Sequence, residues 1–450
     1  MSDDFGEIPG LKLCLALAIF YPTFGGGSLR FMRYQPGLRK RSVEARVLAG
    51  TARTKDAFHE PGQDNRALGW DRYPLGQMIP TDHVEGMPVH RVRLPDETGV
   101  RRTSTFFRSL LLLCRTPETR PDLIQLHSFE RFESLFWLQR LRRERIPLVY
   151  AIQIARPITH PSKFIRRLKT WMVRTFYNSF DGVVTSSEQI SGYLRNIGVE
   201  VPIAVIPNGV DLTLYRPHSE AERLAARASL GVQGDGPLIL SVGAISPRKG
   251  SDLLVEAWTQ VLEQFPDAEL ALVGPRHDRN SKDLDAFSAR LEQLIADSPH
   301  PDRVHLPGVR DDLDQVYAAA DLVVLPTARE GGTPNVVLEA MASARPVLLT
   351  PFEGQSNAIG RPDIEFAECE REPKSIAEGI MRLLSKTDER ETFIARGRDW
   401  VARYLDLEQT LDRFTDFYQR AATFDLDAQQ IELENPKFPS VFSAKRPTSD

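Results

Sequence analysis

The chain has 450 residues, 57 of them basic and 61 acidic, and is 41% hydrophobic and 26% charged, the balance of a soluble globular protein of two or three domains and not of a fibrous or disordered one. Its best apolar run, residues 11–20, is ten long and contains Lys12, short of the roughly 20 residues a membrane-crossing helix needs. The acidic start (Asp3, Asp4, Glu7) is the reverse of a secretory leader, and Cys14, Cys114 and Cys369 lie too far apart for a metal or disulfide framework, so a reducing cytoplasm is expected.

Along the chain, short apolar runs alternate with longer amphipathic segments, the signature of βαβ units and a parallel sheet. Residues 11–20 read as a strand leading into a glycine-rich loop, Gly25-Gly26-Gly27. Further strands are predicted at 43–48, 89–94, 123–126, 148–152, 182–185 and 203–206, with helices at 129–143 and 161–179. Residues 50–88 lack periodicity and read as a long surface loop. The turn cluster Pro207-Asn208-Gly209-Val210-Asp211 marks a domain join and hinge. Strands then recur at 238–242, 270–273, 304–306, 322–325 and 347–349, a second doubly wound layer. A last helix pattern covers 407–422. The expected organisation is a domain over 1–210, a second over 211–405, a helix over 406–425 returning to the first, and a disordered tail over 426–450.

Charge divides with the domains. Residues 1–210 carry 30 basic and 20 acidic residues, a net of +10, and the remainder a net of −14. The basic half suits an acidic partner, such as a membrane surface or a phosphorylated acceptor. Within it, Phe164, Ile165, Leu168, Trp171, Met172 and Phe176 recur at helical spacing among Lys163, Arg166, Arg167 and Lys169. The stripe is expected to pack on its own sheet with the cations outward; the alternative is a helix lying on an anionic bilayer.

The chemistry concentrates at two strand ends of the second half. After the strand at 322–325 comes Glu330-Gly331-Gly332-Thr333-Pro334-Asn335-Val336-Val337-Leu338-Glu339. Thr333 is expected as N-cap and Pro334 at the first helical position. The N–H groups around Asn335 and Val336 then make an anion site at the carboxyl end of a strand. Glu330 and Glu339 are expected to border one cleft, where both can accept hydrogen bonds from sugar hydroxyls. After the strand at 238–242 comes Gly243-Ala244-Ile245-Ser246-Pro247-Arg248-Lys249-Gly250. Its adjacent cations suit a diphosphate, Arg248 as a fork and Lys249 as a point charge. Asp311-Asp312-Leu313-Asp314 reads as a loop and helix start, so no metal site is expected.

Together these segments, with Asp321-Leu322-Val323-Val324-Leu325-Pro326 and the Pro207 to Asp211 cluster, resemble a retaining, family-four glycosyltransferase of the two-Rossmann (GT-B) type. The first strand with its glycines, and Asp122-Leu123-Ile124-Gln125-Leu126-His127, fit more loosely. The resemblance implies two Rossmann-like domains facing each other across a cleft, a nucleotide diphosphate sugar as donor in the second, and an acceptor (glycan, lipid-linked or small molecule) bound mainly by the first. It implies that Arg248 and Lys249 hold the leaving diphosphate, that Glu330 binds the donor sugar's hydroxyls and Glu339 the ribose, and that His127 faces the sugar. Gly26 and Gly27 would approach the phosphates, and Gly243, Gly332, Thr333, Asn335 and Val336 would complete the donor site. No cofactor, metal or nucleic-acid partner is implied, and the protein would be cytoplasmic, with peripheral membrane contact through its basic half as an option.

Three departures stand out. Eight residues separate Glu330 from Glu339 where the family places seven, Gln153 stands where a histidine is common, and Ser343-Ala344-Arg345-Pro346 replaces the usual run after the helix. The first keeps a rival open: an inactive, sugar-nucleotide-binding relative acting as partner or regulator. A phosphorylase would want a lysine-anchored pyridoxal phosphate motif, and a nicotinamide dehydrogenase the Gly-x-Gly-x-x-Gly spacing; neither pattern is present.

Overall fold

Cys14, Leu15 and Ala16, in the middle of the first strand, are fully buried, as a strand covered on both faces must be. The structure, a computed structural model, describes residues 10–23, 26–53, 64–154, 158–232, 234–276 and 282–439. The chain forms two units, Met1–Ile206 with Leu411–Pro436, and Pro207–Thr410 with Lys437–Asp450.

The first unit runs β1 (Leu11–Leu17), α1 (Gly26–Lys40), β2 (Val43–Gly50), β3 (Met78–Val84), β4 (Met87–Val92), α2 (Val100–Arg115), β5 (Leu123–His127), α3 (Phe132–Arg142), β6 (Leu148–Ile152), α4 (Lys163–Tyr177), β7 (Gly182–Thr185), α5 (Glu188–Asn196) and β8 (Ile203–Val205). The sheet order is β3-β4-β2-β1-β5-β6-β7-β8. All pairs are parallel except β3 with β4. The strand order reverses between β1 and β5, with Leu17 beside His127 at their carboxyl ends.

Residues 50–88, expected as one loop, hold β3, joined to β4 through Glu85 and Gly86, both at positive φ (51 and 74). That is the backbone of a two-residue hairpin turn. Only Ile79 of β3 is buried, so no apolar run announced this edge strand. The amphipathic helix α2 was also not anticipated.

The second unit runs α6 (Glu220–Ser229), β9 (Leu238–Val242), α7 (Ser251–Gln264), β10 (Glu269–Val273), α8 (Lys282–Ala296), β11 (Val304–Gly308), α9 (Leu313–Ala319), β12 (Leu322–Leu325), α10 (Asn335–Ala342), β13 (Val347–Leu349), β14 (Ala367–Glu368), α11 (Pro373–Ser385) and α12 (Thr387–Tyr404). Its parallel sheet has the order β11-β10-β9-β12-β13-β14. Leu238, Leu240, Val323 and Leu325 face one core with α10 and α12, and Ile239, Leu322 and Val324 face another with α7 and α11. The α/β fold class expected from the sequence is therefore present twice. Aspartates 311, 312 and 314 do form a loop and the start of α9.

The chain returns through α13 (Leu407–Ala422), which from Leu411 onward belongs to the first unit. There the Phe414 ring lies 5.8 Å from that of Tyr34 on α1. The first segment of the first unit ends at Ile206, four residues before the expected boundary. The segment expected as a disordered tail from 426 forms α14 (Ala428–Glu434) instead. Asp427 caps it, accepting from the Gln430 N–H at 2.8 Å, and Ile431 is buried. Asn435 Oδ1 accepts from the Val205 N–H at 2.7 Å and its Nδ2 donates to the Ile203 carbonyl at 3.0 Å. It thereby covers the exposed edge of β8, which would otherwise offer unpaired backbone groups.

One packing expectation holds only in part: the cations face outward and Phe176 is buried, but most of the stripe is not. Phe164, Ile165, Leu168 and Trp171 of α4 are 75%, 36%, 45% and 54% exposed; of the helix only Phe176 and Tyr177 are buried. Among the described residues no helix is long and apolar enough to cross a membrane.

Candidate functional site

In the second unit the strand order reverses between β9 and β12. Open α/β sheets bind ligands at the carboxyl ends of strands at such a point, and both predicted segments start there. After β9 the chain makes a 3-10 turn over Pro247–Lys249, closed by Gly250 at φ 70. A Cβ on Gly250 would stand 2.2 Å from the Pro326 carbonyl oxygen, so only glycine admits this approach of the two loops. Gly243, at φ 140, leaves the stem of Lys249 its space; a Cβ there would lie 3.2 Å from Lys249 Cε.

The two loops are zipped together. The Ala328 N–H donates to the Arg248 carbonyl at 2.9 Å. Arg371 bonds both, Nε to the Pro326 carbonyl at 3.0 Å and Nη2 to that of Pro247 at 2.8 Å. At their meeting point Glu330 Oε1 accepts from Lys249 Nζ at 2.7 Å, Arg248 Nη1 at 2.8 Å and Thr327 Oγ1 at 2.8 Å. Arg248 Nη1 also donates to the Arg329 carbonyl at 2.6 Å. The adjacent Arg248 and Lys249 thus form one charged hub with Glu330, which is distant in sequence. Arg248 is 45% exposed while Lys249 and Glu330 are 13% and 12% exposed.

The Gly331-Gly332 segment before α10 forms a tight turn. The Thr333 N–H donates to the Gly331 carbonyl at 2.8 Å, a three-residue turn around Gly332 at φ 74, and Glu330 stays on the two cations. Helix α10 starts one residue later than expected. Pro334 (φ −62, ψ 126) is the N-cap and no side chain caps the helix. Thr333 does not cap it because its Oγ1 accepts from the Asn208 N–H at 2.9 Å. The first bonds inside α10 run from Val337 and Leu338 to the Pro334 carbonyl, so the amides of Asn335 and Val336 precede them. Asn335 Oδ1 is buried without a hydrogen-bond partner among the described residues. Glu339 is 3% exposed, and its Oε2 accepts from Tyr317 Oη at 2.9 Å.

Residues 236–386 match the family model "Glycosyl transferases group 1", and residues 25–209 the model "Glycosyl transferase 4-like domain". The lipopolysaccharide core biosynthesis mannosyltransferase LpsB of Rhizobium meliloti is 30% identical over 261 residues, 57% of this chain and 67% of that protein. The chain is a family-four glycosyltransferase of the GT-B type. It is also similar to the D-inositol 3-phosphate glycosyltransferase of Nocardia farcinica, 38% identical over 161 residues, 35% of this chain. That match spans about a third (34%) of the relative's own length. Among solved structures, Anabaena HepE in complex with UDP and glucose superposes with a TM-score of 0.67 at 20% identity, covering 91% of this chain and 99% of that one; this likeness is one of fold.

Electrostatics sharpen the hub of this family member. Burial pushes the Glu330 carboxyl up, but the charges of Lys249 and Arg248 and the bonds from Lys249 and Thr327 outweigh it and leave it below the usual value. Burial lowers Lys249 by more than the charge and hydrogen bond of Glu330 restore.

The remaining predicted residues lie in the first unit. Gly26 and Gly27 open α1 beyond β1, and Gly25 lies outside the described residues. His127 ends β5, 7% exposed, with the Phe31 ring edge-on at 5.1 Å. Burial, then the charge of Arg30, lowers its pKa to about 3, so its imidazole is neutral at physiological pH. Tyr418 Oη donates to Gln125 Oε1 at 3.0 Å, and Gln125 Nε2 lies 2.8 Å from His127 Nε2. The amide nitrogen therefore donates, which makes His127 Nε2 an acceptor and leaves the ring proton on Nδ1. Sequence reasoning missed Thr327, Arg371, Tyr317 and Gln125. Arg371 and Tyr317 act on partners far away in the chain; Thr327 and Gln125 lie three and two residues from Glu330 and His127, though Gln125 is oriented by the distant Tyr418.

Proposed function

We propose that the protein transfers a sugar, in the cytoplasm, from a nucleoside diphosphate sugar to a glycan, lipid-linked or small-molecule acceptor, with retention of anomeric configuration and without a metal. The observation that carries this reading is the hub of Arg248, Lys249 and Glu330 at the carboxyl ends of β9 and β12, beside the N-terminus of α10. Such a hub suits a diphosphate: the cations and the amides of Asn335 and Val336 neutralise charge that grows on the leaving group. Two relatives are themselves glycosyltransferases by name, and Anabaena HepE holds UDP and glucose.

In this reading the diphosphate displaces Glu330 from Arg248 and Lys249, and the freed carboxylate accepts from donor-sugar hydroxyls. Glu339, oriented by Tyr317, accepts from the ribose. His127 offers a neutral Nδ1–H to the sugar and is not a general acid at neutral pH. The acceptor attacks on the leaving-group face, and the phosphate oxygen takes its proton. The inactive-relative reading drew only on the extra residue between Glu330 and Glu339, and with that spacing Glu330 still contacts Arg248 and Lys249.

The test is equilibrium binding of UDP, GDP and ADP to the wild type and to Arg248→Ala/Lys249→Ala. The reading requires tight binding of at least one nucleotide, lost in the variant. No binding by the wild type at millimolar concentration sinks it.

A further inference from the structure

Gln125 is a costly residue for its place. It lies at the centre of β5, between Leu15 of β1 and Val149 of β6, and is fully buried. A strand covered on both faces favours continuous apolar residues, and an amide there must find partners. Successive residues of β5 point to opposite faces. Ile124 and Leu126 enter the core with α2 and α3, so Gln125 and His127 share the face that meets Phe31 of α1 and Tyr418 of α13. Tyr418 is fully buried too, with the Phe414 ring beside its own at 5.6 Å.

An amide can sit in two orientations, and the tyrosine selects one. With Oε1 toward Tyr418, the phenol donates to the amide at 3.0 Å and Nε2 donates to His127 Nε2 at 2.8 Å. Turned round, the amide would donate to the Tyr418 oxygen and leave the hydroxyl proton to find another acceptor. The hydroxyl bonds nothing else among the described residues, so that proton would be buried and unpaired. The phenol proton therefore fixes the amide, and the amide fixes the ring: Nε2 accepts and the proton stays on Nδ1. Nδ1 makes no hydrogen bond among the described residues and is not sealed from solvent. We propose that Tyr418 and Gln125 are positioning residues for sugar transfer, keeping on His127 the one N–H that can meet the donor sugar. The proposal rests on the reading that His127 contacts that sugar. An N–H serves hydroxyls and acceptor-only oxygens alike, whereas a bare ring nitrogen turns the second kind away. The returning helix α13 thereby has a task in the reaction besides packing.

Nitrogen NMR of the full chain carrying isotope-labelled histidine reads the tautomer directly at neutral pH. His127 is assigned among the nine histidines by the signals lost in His127→Gln. The wild type should show a protonated Nδ1 and a bare Nε2. Tyr418→Phe frees the amide to take either orientation, and both tautomers should appear. Gln125→Glu presents only acceptor oxygens, so a proton should appear on Nε2. Turnover is read as nucleotide release from UDP-glucose, GDP-mannose or ADP-glucose. In both variants kcat should fall severalfold while the donor KM and nucleotide affinity hold, a split that lost packing alone would not give. A proton on Nε2 in the wild type, or an unchanged tautomer in both variants, overturns the proposal. So does an unchanged kcat in variants whose tautomer has shifted. If His127→Gln itself leaves kcat unchanged, the contact with the sugar is refuted whatever the tautomer, and the positioning role falls with it.

Discussion

Asn208 holds Thr333 with both its main chain and its side chain. Its N–H donates to Thr333 Oγ1 at 2.9 Å and its Nδ2 to the Thr333 carbonyl at 2.7 Å. Asn208 is the second residue of the unit, which begins at Pro207, and Thr333 is the last residue before the N-cap of α10. The chain's entry into the unit thereby positions the helix N-terminus assigned to the diphosphate. Asn208→Ala removes a side-chain bond to a partly buried carbonyl, at about 1 kcal/mol. A lowered urea midpoint and a severalfold weaker nucleotide affinity are expected; unchanged affinity would deny Asn208 this positioning role.

The hub should behave as a coupled unit. Lys249→Met leaves the Glu330 carboxylate nearly buried with one cation fewer, at a cost of about 3 kcal/mol. Adding Glu330→Gln should recover much of that stability while sugar transfer stays abolished. Urea denaturation of the four members of the cycle measures the coupling.

His127 gives a signed pH dependence. Its folded pKa of about 3 lies below its ordinary 6.5, so the unfolded chain binds the proton more readily. The stability gained by keeping it neutral is fully present above pH 6.5 and is lost as pH falls toward about 3. His127→Gln should flatten the slope of stability against pH in that window, read from urea midpoints, and the transfer rate of the wild type should show no inflection near pH 6.5 from this group.

Gly250 cannot be replaced cheaply. An alanine Cβ would meet the Pro326 carbonyl oxygen at 2.2 Å, at a backbone φ of 70. Left-handed strain and overpacking add to about 3 kcal/mol. Thermal unfolding of Gly250→Ala should show that loss, together with weaker nucleotide binding as the two loops part.

Cation-assisted departure without a metal predicts that EDTA leaves the rate of sugar transfer unchanged, whereas Arg248→Ala lowers it by two or more orders of magnitude. A rate that collapses with the chelator and returns with a divalent ion would refute that part of the proposal.

The buried strands were readable because parallel strands covered on both faces need continuous apolar runs: 148–152, 182–185, 238–242, 322–325 and 347–349 match β6, β7, β9, β12 and β13 residue for residue. Helix α13 matches 407–422 for the same kind of reason, its apolar residues recurring at helical period. β3 was not readable, since one buried residue leaves no pattern. Nor was α14, which is held by a cap, two ion pairs to Arg195 and Arg420, and the bonds of Asn435 to β8.

By itself, then, the sequence determined two parallel-sheet layers and the residue types at their strand ends, because periodicity and strand-end loops are local properties. Tertiary structure alone decided that Arg248, Lys249 and Thr327 converge on one oxygen of Glu330, that Thr333 answers to Asn208 and not to its own helix, and that the stripe of α4 faces water. Each depends on which strands become neighbours and which helix face the core accepts, and burial of distant residues against one another settles both.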